Sequence, residues 1–325
     1  MLKACMGEQN KRAQPCKIGS YELSKERALL FFVSRAASFS LKKMVNPEEM
    51  APVPFFDRWA TRPLIIAHRG YRACYPENTF CAFTQSLGRS DMIELDVQLS
   101  ADGAAVVFHD HDLTRTSNAV SVAAEIGLTS LALRDWQLAS LRRLDIGSWF
   151  IAADPFGTIG HGMVDRRQLL ECMPQRMQTL REVVRWAAAN HMPLNIEIKD
   201  MFDPRRNDAL AAAVVHDIRA TGTHNLAIVS SFNPDILLAC RRMAPELATA
   251  ALRESSHPPD LVAYLRSLGV CAYHPADAIT DALLVRTLHA AGLHVNVFTV
   301  NDPVRQRELI RFGVTGIFTD FPDRG

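Results

Sequence analysis

Two stretches decide the fold: Met92-Ile-Glu-Leu-Asp-Val97 and Asn195-Ile-Glu-Ile-Lys199. Each is a mostly apolar run with charged groups two positions apart. Side chains alternate across a strand, so Glu94 and Asp96 share one face of the first, and Glu197 and Lys199 share one face of the second. Carboxylates buried among Ile, Leu and Val are strongly disfavoured unless a positive charge answers them. Three such acids on neighbouring strands form an all-oxygen cage suited to a hard divalent cation. Two more strand ends, Ile66-Ala-His-Arg-Gly70 and Val107-Phe-His-Asp110, each deliver a histidine. A metal, two histidines, an arginine and a lysine are the equipment that cutting a phosphate ester calls for.

Working outward, short β-branched runs alternate with helical stretches from Pro63 onward. The expected strands are Leu64–His68, Met92–Gln98, Leu194–Lys199, Ala227–Ser231, Leu247–Leu252, Val270–His274, His294–Thr299 and Gly316–Thr319. Amphipathic segments such as Pro234–Met243 and Asp260–Leu268 separate them. Eight strands with intervening helices predict an α/β fold, a parallel TIM (β/α)8 barrel, rather than an open sheet. One interval breaks the rhythm. Ala101-Asp-Gly103 is a turn signal, so Ala104–Phe108 is expected to return as a hairpin on the second strand. A small insertion then runs from about His111 to Met173, with two short helices around Leu131–Leu141, and a helix over Gln175–Asn190 leads into the third strand. The charged residues fall at the C-terminal ends of the first three strands, where this fold gathers its catalytic groups.

Composition narrows the classes. The chain has 325 residues, 48% of them hydrophobic, enough for a large core, and a formal charge of +1 that argues against a nucleic-acid binder. Seven scattered cysteines lack metal-finger or disulfide-framework spacing, and a reducing cytoplasm is expected. Residues 1–62 differ from the rest: basic, with little strand pattern, they are expected to be a flexible N-terminal extension or the product of an upstream start, with Met44 or Met50 as the true beginning. Their apolar piece Ala28–Val33 is far shorter than the roughly 20 residues a transmembrane helix needs. Leu29, Phe32, Val33 and Ala36 are helically spaced, which leaves a weak membrane contact open. Residues 63–325 are expected to form the barrel.

The motifs stand in a telling order: His68-Arg-Gly70, Pro76-Glu-Asn-Thr-Phe-Cys-Ala-Phe83, Ile93-Glu-Leu-Asp-Val97, Val106-Val-Phe-His-Asp110, Leu113-Thr-Arg-Thr116, Asn195-Ile-Glu-Ile-Lys199, Ser230-Ser-Phe-Asn233, Phe298-Thr-Val-Asn301 and Gly313-Val-Thr-Gly-Ile-Phe-Thr-Asp-Phe-Pro322. Together they resemble the glycerophosphodiester phosphodiesterase family. The resemblance implies a TIM barrel that hydrolyses glycerophosphodiesters to glycerol 3-phosphate and an alcohol. It implies that Glu94, Asp96 and Glu197 bind one Mg²⁺ or Ca²⁺, that His68 and His109 are general acid and base, and that Arg69 and Lys199 meet the phosphate. That family usually carries a tryptophan where Phe298 stands.

Each role also follows from chemistry. A phosphodiester spreads charge over its equatorial oxygens as the bond breaks, which a cation and a bidentate guanidinium neutralise. The leaving alcohol needs a proton and the attacking oxygen must lose one, and imidazole does both near neutral pH. Several readings stay open. Lys199 either contacts the phosphate or pairs with Glu197. Asn78 is expected at the phosphate or the metal; Phe232 and Phe298 are pocket walls or plain core; Asp320 is expected as a structural acceptor. The expected activity is metal-dependent hydrolysis of small deacylated head-group esters such as glycerophosphocholine or glycerophosphoethanolamine. The rivals are a lysophospholipase D, a site in which His68, His109 and one carboxylate hold a transition metal, and a non-catalytic phosphate-ester-binding barrel.

Overall fold

The computed structural model describes residues 55–56 and 62–324. Nine strands follow one another in these residues: β1 (Leu64–Ala67), β2 (Met92–Leu99), β3 (Ala105–Val107), β4 (Leu194–Ile198), β5 (Ala227–Ser231), β6 (Ala248–Arg253), β7 (Ala272–Pro275), β8 (His294–Val297) and β9 (Gly316–Thr319). They hydrogen-bond in the order β1-β9-β8-β7-β6-β5-β4-β2, and β1 pairs with β2 to close the circle. All eight of these pairings are parallel; β3 alone runs antiparallel, as a hairpin on β2. The fold is the expected TIM barrel.

Alternation sorts each strand between two environments. Ile93, Leu95, Val97 and Leu99 of β2 and Leu194, Ile196 and Ile198 of β4 pack outward against helices over Leu180–Ala189 and Pro204–Thr221. Leu64, Ile66, Met92, Ile228, Ala248, Ala250, Ala272 and Phe318 fill the barrel interior. Small residues keep that interior from overfilling: a Cβ added at Gly316 would meet Asn296 Oδ1 at 2.7 Å.

Several strand-to-helix turns share one device. Asp203, Asn233 and Asp302 each accept a backbone N–H two residues on, and each is followed by proline at the first helical position. An Asx cap supplies the missing acceptor and proline sets φ, which starts the helix at once and keeps the C-terminal rim tight.

Two expectations need adjusting. The helix expected over Gln175–Asn190 begins at Leu180. The preceding residues run beside β3 instead, with Val107 N donating to Gln178 O at 2.9 Å and Val106 bridging Thr179. Thr179 and Glu182 then form a capping box that fixes the start. Phe55 and Phe56, which fall inside the stretch expected to be an extension, are buried in the barrel-interior cluster with Leu64 and Met92, so the barrel's contacts begin before residue 63. The apolar segment at 28–33 and the proposed membrane contact lie outside the described residues. No helix among the described residues is long and apolar enough to cross a membrane. Between β3 and β4 stand short helices at Ala119–Ile126, Leu138–Leu141, Ser148–Ala153 and Arg166–Glu171, with a 3-10 turn at Leu133–Asp135.

Candidate active site

The site begins where β1 ends. His68 continues the strand direction, and the backbone then turns left-handed at Arg69 (φ 54°) and Gly70 (φ 82°). Gly70 is required there, since an added Cβ would sit 2.8 Å from Ala82 Cβ and 2.9 Å from its carbonyl carbon. A left-handed arginine costs on the order of 1 kcal/mol. The turn is held because Arg69 N–H donates to Glu94 Oε2 at 2.8 Å.

Glu94, Asp96 and Glu197 converge as the register predicts: β2 and β4 pair Glu94 with Asn195 and Asp96 with Glu197. One oxygen from each of the three lies within 4.8 Å of the others. The electrostatics are unequal. Burial, then the charges of Asp96 and Glu197, pushes the Glu94 carboxyl well above the usual range. Burial opposes ionisation of Asp96 too, but Lys199, Arg69 and His109 outweigh it and hold that carboxyl far below the usual range. Glu197 is raised by burial, with Lys199 working the other way. Lys199 Nζ is 2.6 Å from Glu197 Oε1 and 3.0 Å from Asp96 Oδ1, so the expected pairing with Glu197 is made and extends to Asp96.

The two histidines are held alike. His68 Nδ1 lies 2.8 Å from Asp320 Oδ1, and His109 Nδ1 lies 2.5 Å from Asp110 Oδ1. A carboxylate on Nδ1 makes it the N–H nitrogen and leaves Nε2 as the working atom. Burial, with Arg69 nearby, lowers the His68 pKa below its ordinary value. Asp320, although buried, is held at about 2 by His68 and Arg72, and Asp110 is likewise held at about 2 by His109 and Arg115.

His68, Arg69, Glu94, His109, Glu197, Lys199, Phe232 and Phe298 all line one cavity of about 630 Å³. Asp96 and Asn78 do not face it. Asn78 is buried with Nδ2 donating to Asp96 Oδ2 at 2.8 Å, while its Oδ1 accepts the Asp96 N–H at 3.3 Å. Of the two places expected for Asn78, the geometry gives the one at the three-acid cluster, where it holds Asp96 from behind.

The sequence reading passed over several supporting groups. Glu77, 5% exposed, accepts from Arg69 Nη1 (2.9 Å), Arg72 Nε (2.9 Å) and Arg115 Nη2 (2.7 Å). Despite burial, those three guanidiniums keep it ionised far below the usual range. Arg115 also donates Nε to Asp110 Oδ2 at 2.5 Å, so one knot positions Arg69 and, through Asp110, His109. Asn301 Nδ2 donates to Asp320 Oδ2 at 2.7 Å and steadies the other histidine's partner. The one available signal was Arg72 and Arg115, which need an acid if they are buried. His274, also unremarked, is fully enclosed with Nε2 2.9 Å from Asn296 Nδ2, and burial lowers its pKa to about 3.

The residues fit a hard cation. Three carboxylate oxygens converge, and Glu94 has only a backbone N–H to answer it. Among the described residues the ligand group that comes together contains no histidine, which argues against the histidine-held transition-metal rival.

A parallel barrel that sets acids, imidazoles and cations around one cavity at its C-terminal rim defines a phosphoester hydrolase. The model of the glycerophosphoryl diester phosphodiesterase family matches residues 68–324. A glycerophosphodiester phosphodiesterase of Bacillus altitudinis is 31% identical over 264 residues, covering 80% of this chain and 95% of that protein. One from Bacillus subtilis is 28% identical over 305 residues, covering 91% and 92%. The structure of an Oleispira antarctica phosphodiesterase in complex with the product sn-glycerol-3-phosphate superposes with a TM-score of 0.67 at 28% identity, covering 82% of this chain and 96% of that one. The chain belongs to the glycerophosphoryl diester phosphodiesterase family.

Proposed function

We propose that the cavity binds a deacylated phospholipid head-group ester and hydrolyses it to glycerol 3-phosphate and an alcohol. The observation that carries this reading is the pairing of two imidazoles, each backed through Nδ1 by a carboxylate, on the wall of one cavity beside the three-acid cluster. The product bound to the Oleispira antarctica relative supports it.

Glu94, Asp96 and Glu197 would hold one divalent cation, Mg²⁺ or Ca²⁺; when bound, it supplies Lewis-acid neutralisation of the phosphate oxygens. His68, neutral at pH 7 because burial and Arg69 lower its pKa, accepts at Nε2 the proton of the attacking oxygen, either water itself or the substrate's glycerol hydroxyl by way of a cyclic phosphate that water then opens. His109 donates from its own Nε2 to the departing alcohol oxygen. Arg69 offers a guanidinium to the equatorial oxygens, held in place by Glu77. Lys199 balances Asp96 and Glu197 from inside the cavity and reaches the phosphate from there. Phe232 and Phe298 wall the ester arm; Asn78 keeps Asp96 in position. The thiol state of Cys74, Cys81, Cys172, Cys240 and Cys271 supports a cytoplasmic location.

The test is release of glycerol 3-phosphate from glycerophosphodiesters by wild type and by His68→Ala with Mg²⁺ or Ca²⁺ present. Loss of an acid–base group lowers kcat about 10²–10⁴-fold. Undiminished turnover in the variant would remove His68 from the mechanism. A second reading, lysophospholipase D, is favoured by Phe202, which is 76% exposed and packs on His111 beside the cavity's His109. Faster turnover of detergent-dispersed lysophospholipid than of the water-soluble ester, lost in Phe202→Ser, would establish it.

A further inference from the structure

The cavity continues past the reacting groups. From His68, Arg69, His109 and Lys199 it extends to the tops of β6, β7 and β8, where Leu252, Glu254, Asp277 and Phe298 face it. Charge is divided along that length. Its arginine and lysine stand at the phosphate end, beside Glu94 and Glu197, and the far wall carries carboxylates with no cation among the lining residues. Asp277 is answered from outside the cavity, with Oδ1 accepting from Arg305 Nε at 2.7 Å. Glu254 is not answered. Among the described residues no cation pairs with it, and the adjacent Arg253 turns to the Ser256 carbonyl at 2.6 Å. Glu254 is the first residue past β6 and, though exposed, lines the cavity. Phe232, 42% exposed, and Phe298 meet edge to face in the same wall, with ring centroids 5.8 Å apart.

A substrate whose phosphate lies against Arg69 and Lys199 sends one ester arm toward that wall. An uncompensated carboxylate there attracts a positive arm and repels a negative one, and aromatic rings hold an alkylated ammonium through their quadrupoles. A neutral polyol arm gains from neither effect. We propose that Glu254, with the Phe232–Phe298 pair, selects glycerophosphodiesters whose alcohol bears an ammonium group. The cavity's division of charge then complements a zwitterion: cations for the phosphate, a carboxylate for the ammonium. The inference rests on the hydrolase reading above and adds to it the identity of the alcohol.

The experiment compares kcat/KM for glycerophosphocholine and for glycerophosphoglycerol, in wild type, Glu254→Gln and Glu254→Lys, with glycerol 3-phosphate as the common product. The ratio of cationic to neutral ester falls about fivefold in Glu254→Gln and about 25-fold in Glu254→Lys, through KM, and falls in wild type as salt is raised. Turnover of the neutral ester reports that each variant is folded. A ratio that neither substitution moves overturns the proposal. So does an equal fall for both esters, which would assign Glu254 to the shared glycerol arm. Failure of wild type on both esters would overturn the hydrolase reading itself, a result distinct from either of these.

Discussion

Buried acids on two sides of Arg69, Glu77 and the trio of Glu94, Asp96 and Glu197, are treated in opposite ways. Glu77 is surrounded by Arg69, Arg72 and Arg115 and is held ionised far below the usual range. Glu94, Asp96 and Glu197 are answered by Lys199, by the flank of Arg69, at 3.4 Å from Asp96, and by His109 nearby, and burial pushes Glu94 well above the usual range. Glu77 alone meets three guanidiniums, each shared with one further carboxylate, whereas the three acids around Glu94 meet one ammonium and one guanidinium. The first arrangement is closed and fixes side chains. The second is short of a cation, which is what a metal site looks like before the metal is counted.

This contrast breaks most visibly in activity. Glu94→Gln keeps the shape of the trio and removes a charge, so kcat/KM with Mg²⁺ or Ca²⁺ falls about 10³-fold, read as glycerol 3-phosphate release. In EDTA the same variant is as stable as wild type or more so, because a repelled acid has gone. Glu77→Gln does the opposite to stability. It takes from three guanidiniums, one of them deeply buried, the carboxylate they share, leaving each with one other acid, and costs about 3 kcal/mol in urea denaturation, whether or not EDTA is present. Equal stability losses in the two variants would erase the distinction.

Asp320→Asn sharpens it through a histidine. The amide presents a donor as readily as an acceptor to His68 Nδ1, so kcat falls about 10²-fold. Asp320 also raises the His68 pKa against burial, so its loss moves the acidic limb of kcat/KM, already below the ordinary 6.5, to lower pH. A fall in kcat with an unmoved limb would mean that His68 is not the group titrating.

The smallest effect is the pH dependence of stability. Glu94 has a raised folded pKa, so its contribution is present below its unfolded value, about 4.5, and is lost as pH rises toward the folded value. Asp110 and Asp320 have depressed values, so theirs is present above the ordinary 3.8 and is lost as pH falls toward about 2. As pH rises from about 4.5 in EDTA, wild type therefore loses stability relative to Glu94→Gln. Added Mg²⁺ or Ca²⁺ cancels the difference. A flat difference without metal would contradict the raised value.

The strands and the trio were legible because period-2 alternation and strand-end position are properties of a few adjacent residues. Met92–Leu99 announces both its outward apolar face and its inward acids. The supporting knot was not legible, because Glu77 acquires its meaning from Arg115, 38 residues away; Asp320 was expected as an acceptor, but its partner His68 lies 252 residues away and was not foreseen. Asn78 stands beside a catalytic motif, yet the local sequence does not reveal that its amide closes on Asp96. The helix starting at Leu180 was placed too early because Gln175–Thr179 is claimed by a tertiary bridge to β3. Phe55 and Phe56 form too short an apolar pair to signal burial without the barrel they enter.

The central claim is that three acids on β2 and β4 hold a cation the reaction requires. Its most direct test is glycerol 3-phosphate release from a glycerophosphodiester by protein stripped with EDTA and then resupplied with Mg²⁺ or Ca²⁺. Release that disappears on stripping and returns with the divalent ion is the predicted result. Full release from the stripped protein would contradict it.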